Sequence, residues 1–258
     1  MNQHEWVPVA PTWERNPDDK ELWRRVPVMP SLALNTVEME ALGPVAGRAV
    51  CVFGVGDGMA ALALGALGAR VTVVDPVQSL LDMILVRGQI IGVQLTYIQS
   101  ELCELAGTRD DTFSFAYAAQ VCQRIEDLNR FYAEIARILL PGGRLIVNQY
   151  HPFRRIWKQE PGHPQIQTSY FERRRAREEE DDLAGDPTAP DAGFGRFDYN
   201  WTISDHFRAL SAAGLYVSAI EEVGDVRQKW EIPTLKGLPE QLLLVADKPW
   251  PSPQPSTP

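Results

Sequence analysis

The sequence predicts an α/β chain built on a parallel sheet with helices covering it. Three observations carry that expectation. Short β-branched runs alternate with longer runs of helical period, the order that feeds a parallel sheet. The stretch Val50 to Asp75, VCVFGVGDGMAALALGALGARVTVVD, reads as strand, glycine-rich turn, small-residue helix and second strand. The run RILLPGGRLIV, Arg137 to Val147, reads as helix end, forced turn and a further strand. With 258 residues and 45% hydrophobic composition, the chain can bury one such core and keep length for a cap or an insertion.

The elements follow in order. The first thirty residues carry proline and charge together with Trp6, Trp13 and Trp23, too many large aromatics for a purely solvated segment. Ser31 is expected to cap a helix bearing Leu32, Leu34, Val37, Met39 and Leu42, ended by Gly43 and Pro44. That segment, 1–44, either covers a sheet face or closes over the site, with Trp13 and Trp23 as candidate lid residues. Ala49 to Phe53 is the first strand, Gly54, Gly56 and Gly58 form the turn, and the helix runs to Leu67 and closes at Gly68. Arg70 to Val74 is the second strand, ending on Asp75. Pro76 starts a turn, and Ser79 to Gly88 is a helix with Leu80, Leu81, Ile84 and Leu85 inward. Leu95 to Gln99 is a third strand that ends at Ser100 and Glu101.

Thr112 to Ala118 is apolar enough to be a central parallel strand buried on both faces. The loop after it, Ala119 to Glu126, lies where such sheets bind ligands, which places Gln120 in a pocket. Asp127 caps a helix with Leu128, Phe131, Ile135, Ile138 and Leu139 on one face, stopped by Pro141, Gly142 and Gly143. The next strand ends in Asn148, Gln149, Tyr150, His151 and Pro152. An insertion follows over 153–200. Its charged centre, Arg173 to Asp182, pairs Arg174 with Glu178, Arg175 with Glu179 and Arg177 with Asp181 at helical spacing, so a solvated helix is expected. Ala184 to Gly195 reads as loop. Flanking aromatics, Phe153, Trp157, Tyr170, Phe171, Phe194, Phe197, Tyr199 and Trp201, point to an insertion that folds back. Ser204 is expected to cap a helix with Phe207, Leu210 and Ala213, ended by Gly214, and His206 inside it reads as structural. Leu215 to Val223 and Leu238 to Asp247 are the last strands, and the proline-rich residues 249–258 read as a disordered tail after a domain spanning 45–248.

Twenty-five basic against thirty-four acidic residues give a formal charge of −9, which argues against a nucleic-acid or anionic-membrane surface and for a small-molecule substrate. Cys51, Cys103 and Cys122 have no close-pair metal spacing, so no metal is expected, and three thiols without a secretion signal fit a cytoplasmic protein. Charges or prolines interrupt every apolar run before bilayer length. Composition sets no oligomeric state.

Chemistry concentrates at the glycine turn. Glycines let a ligand approach the backbone, a helix amino end favours negative charge, and an acid beside them suits a ribose diol. The dinucleotide fingerprint wants its third glycine where Met59 stands; here the glycines alternate at 54, 56 and 58. Alternate glycines, an acid ending the next strand at Asp75 and the later Pro141-Gly142-Gly143 turn before a strand together resemble the class I S-adenosylmethionine-dependent methyltransferases. The text around His151-Pro152 and WTISDHFRALSAAGLYVSAIEE resembles a bacterial small-molecule subgroup of that family.

The resemblance covers about Val45 to Lys248 and implies a Rossmann-like, doubly wound, seven-stranded, mostly parallel sheet with one antiparallel strand and helices on both faces, and S-adenosyl-L-methionine as cofactor; oxygen, nitrogen and carbon acceptors are all open to it, and the lack of a basic nucleic-acid surface points to an oxygen or nitrogen of a small metabolite. It implies that Gly54, Gly56 and Gly58 admit the methionine portion, that Asp75, with Pro76 beside it, bonds the ribose, and that Glu101 and Leu102 border adenine. Ala118 and Gln120 then lie near the sulfonium, and the insertion caps the substrate. His151, with Tyr150, is the candidate to orient or deprotonate the acceptor, because an imidazole takes a proton near neutral pH; a strand-end histidine bonded to backbone is the plainer reading. Two positions depart from the family, Val52 and Ser114, where acids are usual. They support a second reading, a cofactor-binding protein without transfer activity. A nicotinamide dehydrogenase is the third, disfavoured by Met59 and by the lack of a second nucleotide-binding half.

Overall fold

The computed structural model describes residues 21–156, 165–166, 168–176, 197–224 and 238–251. Trp6, Trp13, Trp157, Phe194, the acidic half of the charged block, the 184–195 loop and residues 252–258 lie outside them. Strands β1 (Ala49–Phe53), β2 (Arg70–Asp75), β3 (Leu95–Gln99), β4 (Phe113–Ala119), β5 (Leu139–Tyr150), β8 (Tyr216–Val223) and β9 (Gln241–Asp247) form one sheet in the order β3-β2-β1-β4-β5-β9-β8. β9 alone runs antiparallel, against β5 on one side and β8 on the other. The chain order reverses between β1 and β4, so the crevice of the parallel sheet opens above their carboxyl ends, the place where such sheets take ligands.

Side-chain alternation along each central strand divides the core in two. Cys51, Phe53, Ala116, Ala118, Leu145 and Val147 pack towards α4 (Leu128–Ile138) and α5 (Ile203–Ala212). Val50, Val52, Val73, Phe115, Tyr117 and Ile146 pack towards α1 (Thr36–Leu42), α2 (Met59–Ala66) and α3 (Gln78–Ile91). This is why β4 reads as a continuous apolar run: both of its faces are covered. Phe131 of α4 meets Phe53 edge to face, with ring centroids 5.5 Å apart.

Both helix starts expected at serines move. α1 begins at Asn35, whose side chain accepts the Glu38 amide while Glu38 accepts the Asn35 amide, a capping box; Ser31 sits in a single 3-10 turn, Pro30–Leu32. α5 begins at Thr202 with the same reciprocal bonds to Asp205, because a capping residue needs its partner three positions on and Ser204 lacks one. The Pro141-Gly142-Gly143 turn is a bulge inside β5: Leu139 pairs with Phe113, and the register shifts before Arg144 pairs with Phe115. Gly142 and Gly143 exchange backbone bonds with Lys248, so the irregular segment joins the sheet instead of preceding it. In the insertion, β6 (Arg174–Ala176) pairs antiparallel with β7 (Phe197–Tyr199) where a helix was expected at Arg173 to Asp182. Arg174 to Ala176 are therefore extended, and the acidic partners of the expected pairs lie outside the described residues.

Trp23 is packed in the core beside α3, 5.4 Å from the Arg87 guanidinium, and so belongs to the sheet-covering segment. Behind it lies a buried polar network. Glu38 is 1% exposed; its Oε1 accepts the Tyr117 hydroxyl at 2.5 Å and the Asn148 amide at 2.7 Å. Asn35 Nδ2 donates to Gln241 Oε1 at 3.2 Å. One carboxylate therefore ties α1 to β4 and β5 just below their ligand-bearing ends, and Asn35 extends the tie to β9.

Candidate active site

The site is built from strand ends. β1 runs into the turn Gly54 to Gly58, and each of the three glycines has positive φ. They do different work. A Cβ on Gly58 would lie 2.3 Å from Ile84 Cδ1, so this position lets α3 close onto the turn. A Cβ on Gly56 would meet nothing within 4 Å, so its missing side chain leaves open backbone that a ligand can approach. Asp57 Oδ1 accepts the Met59 amide at the start of α2, and Arg87 Nη1 donates to the Asp57 carbonyl at 2.7 Å, fixing the turn to α3.

Asp75 ends β2 beside this turn. Its Oδ2 accepts the Val55 amide at 2.8 Å and its Oδ1 accepts the Val77 amide at 2.9 Å. The carboxylate therefore shapes the glycine turn, and each oxygen keeps a further acceptor direction for a diol. Burial raises its pKa, the two amides oppose that rise, and Glu101 adds to it. Glu101 is half-buried after β3, close enough to be felt by Asp75, and the Ser100 amide donates to the Asp75 carbonyl. The ends of β1, β2 and β3 thus bring together Gly56, Asp75, Pro76 and Glu101. Leu102 and Ala118 have side chains packed in the core on the α4 side, which leaves only their backbone to border a ligand. Val52 is likewise buried, facing α1 to α3.

A second concavity opens past β4 and β5, lined by Gln120, Gln123, Gln149, Tyr150, Pro152, Tyr199, Asn200 and Trp201. Gln120 holds a positive φ of 56°, rare for a side-chain-bearing residue. Its amide donates to the Asn148 carbonyl and its Oε1 accepts the Tyr150 amide at 3.0 Å, pinning the β4 loop to the end of β5. Trp201 is anchored by its indole N–H to the Ile125 carbonyl at 2.9 Å, and its ring lies within 11° of parallel to that of Tyr199. Of the other lining residues, Gln149 was legible only as part of a strand end and Trp201 as the first residue of the WTISDHFRALSAAGLYVSAIEE stretch, while Asn200 belongs to no short pattern.

His151 is 5% exposed and lies outside that lining. The Phe153 amide donates to its Nδ1 at 3.2 Å, so the proton sits on Nε2, 2.9 Å from Glu222 Oε1. Burial lowers its pKa against the opposing pull of Glu222. Both ring nitrogens are thus occupied by protein partners. Tyr150, its neighbour, does line the pocket.

Known proteins resemble this chain in sequence over part of its length and in fold. Residues 52–147, from β1 through β5, match the methyltransferase domain family. Over these strands the chain resembles a methyltransferase domain. Ubiquinone biosynthesis O-methyltransferase of Xanthomonas oryzae pv. oryzae is 27% identical over 125 residues, covering 47% of this chain and 52% of that protein. The enzyme of the same name from Rickettsia conorii is 27% identical over 95 residues, covering 37% of this chain and 32% of that protein. The chain spans about half the length of the Xanthomonas relative it matches. Among solved structures, an S-adenosylmethionine-dependent methyltransferase from Mesorhizobium loti superposes with a TM-score of 0.64 at 21% identity, covering 81% of this chain and 94% of that one. A Methanosarcina mazei protein described in the same terms gives 0.62 at 16% identity, covering 84% and 99%. The [4+2]-cyclase SpnF shares the fold at 0.53 and 16% identity, covering 88% and 81%. The glycine turn, Asp75 and Glu101 lie on one side of the crevice and the amide-lined pocket on the other. Open backbone at Gly56 beside a carboxylate is a cradle that fits a nucleoside with an extended polar chain, as the family's cofactor S-adenosylmethionine requires.

Proposed function

We propose that this chain is an S-adenosylmethionine-dependent methyltransferase that methylates an oxygen or nitrogen of a small molecule. The observation that carries the reading is the adjacency of two unlike sites at the carboxyl ends of one parallel sheet: a glycine turn clamped by Asp75, and a concavity lined by amides and aromatic rings with no charged side chain. S-adenosylmethionine supplies the activated methyl group. The residues here bind, align and exclude water, which is most of what such a transfer asks of a protein.

Gly56 admits the amino-acid portion, Asp75 receives the ribose hydroxyls and Glu101 borders the adenine edge. Gln120 separates the two sites and, through its bond to Tyr150, keeps the acceptor pocket in register with the glycine turn. His151, fixed between Phe153 and Glu222, orients Tyr150 and Pro152 on the pocket wall; its neutral, doubly bonded ring suits positioning better than proton abstraction. If His151→Ala left turnover unchanged, that role would be lost. The oxygen acceptor is favoured by the names of the Xanthomonas and Rickettsia relatives. A cytoplasmic location follows the same reading, with the three cysteines unpaired; among the described residues, no helix is long and apolar enough to cross a membrane.

The test is calorimetric titration with S-adenosylhomocysteine, with reduced nicotinamide dinucleotide as control, followed by transfer of labelled methyl to a metabolite panel. Binding of the first compound alone, with transfer, is the expected result; binding of the dinucleotide overturns it. A second reading, cofactor binding without transfer, is favoured by Val52 and Ser114, both buried where acids are usual, and by the sharing of this fold with a cyclase. It predicts tight binding of S-adenosylhomocysteine with no product from any acceptor.

A further inference from the structure

The pocket past β4 and β5 has oriented amides. A backbone N–H can only donate and a backbone carbonyl can only accept, so two side chains have no freedom to flip. Gln120 turns Oε1 to the Tyr150 amide, and Asn200 turns Nδ2 to the Tyr170 carbonyl at 3.1 Å. The third amide, Gln149, is set from the interior. Its Nε2 lies 2.6 Å from His206 Nε2, and His206 Nδ1 lies 2.5 Å from the Tyr132 hydroxyl. His206 is wholly buried, and burial pushes its pKa down to about 3, so the ring is neutral with one donor and one acceptor. The amide N–H of Gln149 donates to Nε2, Nδ1–H donates to Tyr132, and the Tyr132 hydroxyl is left facing Cys122 Sγ at 3.8 Å. The chain has one consistent direction.

Gln120, with Oε1 turned to Tyr150, keeps Nε2 as a donor at the edge of the pocket, and two carbonyl oxygens beyond it are not committed to the interior. Asn200 is 9% exposed, and its Oδ1 is buried with no partner among the described residues, which costs on the order of 1–3 kcal/mol unless something fills it. Gln149, 8% exposed, has its nitrogen turned inward and so keeps Oε1 as the atom not committed to the interior. Among the described residues the neighbouring arginines are already paired, Arg154 with Glu240 at 3.1 Å and Arg173 with Asp205 at 2.7 Å. The parallel rings of Tyr199 and Trp201 supply flat apolar surface beside them.

We propose that Asn200 and Gln149 are specificity-determining residues whose amide oxygens receive the hydrogen-bond donors of an uncharged, flat substrate, with His206 as the positioning residue that holds Gln149 in this orientation. The assignment rests on the methyl-transfer reading for what happens to that substrate, but not for its recognition. A carboxylate or phosphate in the same place would face two carbonyl oxygens and is rejected.

Three probes test it by ligand-observed magnetic resonance, each titrated with and without S-adenosylhomocysteine: benzamide, N,N-dimethylbenzamide, which lacks donors, and benzoate, which adds charge. Benzamide is expected to bind about tenfold tighter than either of the others. Asn200→Leu is expected to erase that preference, and His206→Phe to reduce the ratio of benzamide to N,N-dimethylbenzamide affinity while leaving S-adenosylhomocysteine affinity within about twofold. Equal binding of benzoate and benzamide overturns the assignment, as does an unchanged ratio in Asn200→Leu. The wild-type comparison needs no variant, so misfolding of either substitution does not shield the proposal. Loss of S-adenosylhomocysteine binding by the wild type would overturn the methyl-transfer reading instead, with the probe ratios still read in its absence.

Discussion

Asp75 Oδ2 accepts the amide of Val55 across 2.8 Å, so the acid that ends one strand sets the shape of the turn that ends its neighbour. Asp75→Asn keeps the volume but puts an uncharged amide where two backbone amides converge. It is expected to weaken S-adenosylhomocysteine binding at least about tenfold, measured by calorimetry. The pH dependence has two opposite signs. The protonated carboxyl accepts poorly, so cofactor affinity falls as pH drops through a pKa that burial has raised. A raised folded-state pKa also means that the folded protein holds this proton more tightly than the unfolded chain, so the Asp75 contribution to stability falls as pH rises through the same window.

The glycines of the turn separate stability from binding. Gly58→Ala forces a methyl group to 2.3 Å from Ile84 Cδ1 at φ +77°, and is expected to cost about 2–4 kcal/mol in urea unfolding. Gly56→Ala meets open space and costs about 1–2 kcal/mol of backbone strain, but its methyl occupies the approach to the backbone, so cofactor affinity falls at least about tenfold. The reverse pattern would show that the turn does not hold the cofactor.

His206 makes the fold acid-sensitive. Its folded-state pKa, about 3, lies below that of an unfolded histidine, near 6.5, so the stability linked to its neutral form is complete above that value. As pH falls towards 3, stability declines by about 1.4 kcal/mol per pH unit. His151 adds to the same slope at its upper end, because its pKa is also lowered. His206→Phe is expected to be less stable at neutral pH, with Gln149 and Tyr132 each losing a buried partner, and to show a shallower decline below about pH 6.5. Urea midpoints across that range measure both.

Tyr117→Phe removes one donor from the buried Glu38 carboxylate and is expected to destabilise by about 1–3 kcal/mol. Asn148→Leu removes a second. Because both act on the same Oε1, the double variant should depart from additivity, which a double-mutant cycle in urea reads directly.

Most strands were legible because their signals are local. Ala49 to Phe53 and Leu95 to Gln99 coincide with β1 and β3, and the alternation that buries β4 on both faces is written in its composition. Asp127 was legible as a cap for the same reason. The serines misled because a capping residue is chosen jointly with the residue three positions on, and Asn35 with Glu38 and Thr202 with Asp205 form the reciprocal pairs. At the site, Gly56 and Asp75 come from one contiguous stretch and Glu101 from the end of the next strand, and all three lie at adjacent strand ends. Gln149 and Asn200 are brought together by an insertion, and His206 reaches Gln149 from another helix, a meeting set by tertiary packing that no spacing encodes. The β6–β7 pairing holds Arg174 to Ala176 extended where the charge pattern read as helix.

The position of β9 has a consequence for when the pocket can exist. This strand lines nothing, yet the Glu240 carbonyl receives the His151 amide, and Gln241 pairs with Tyr150 and bonds Asn35. The glycine turn and its acid can assemble from neighbouring sequence as soon as β1, α2 and β2 have been made. The acceptor side must wait for residues synthesised about ninety positions after its own floor, and closing so long a loop is slow compared with local pairing. A ribosome-bound chain lacking β9 would thus hold its glycine turn and Asp75 before the pocket past β5 is finished, so the order in which the sheet is filled sets the order in which the two sites are completed.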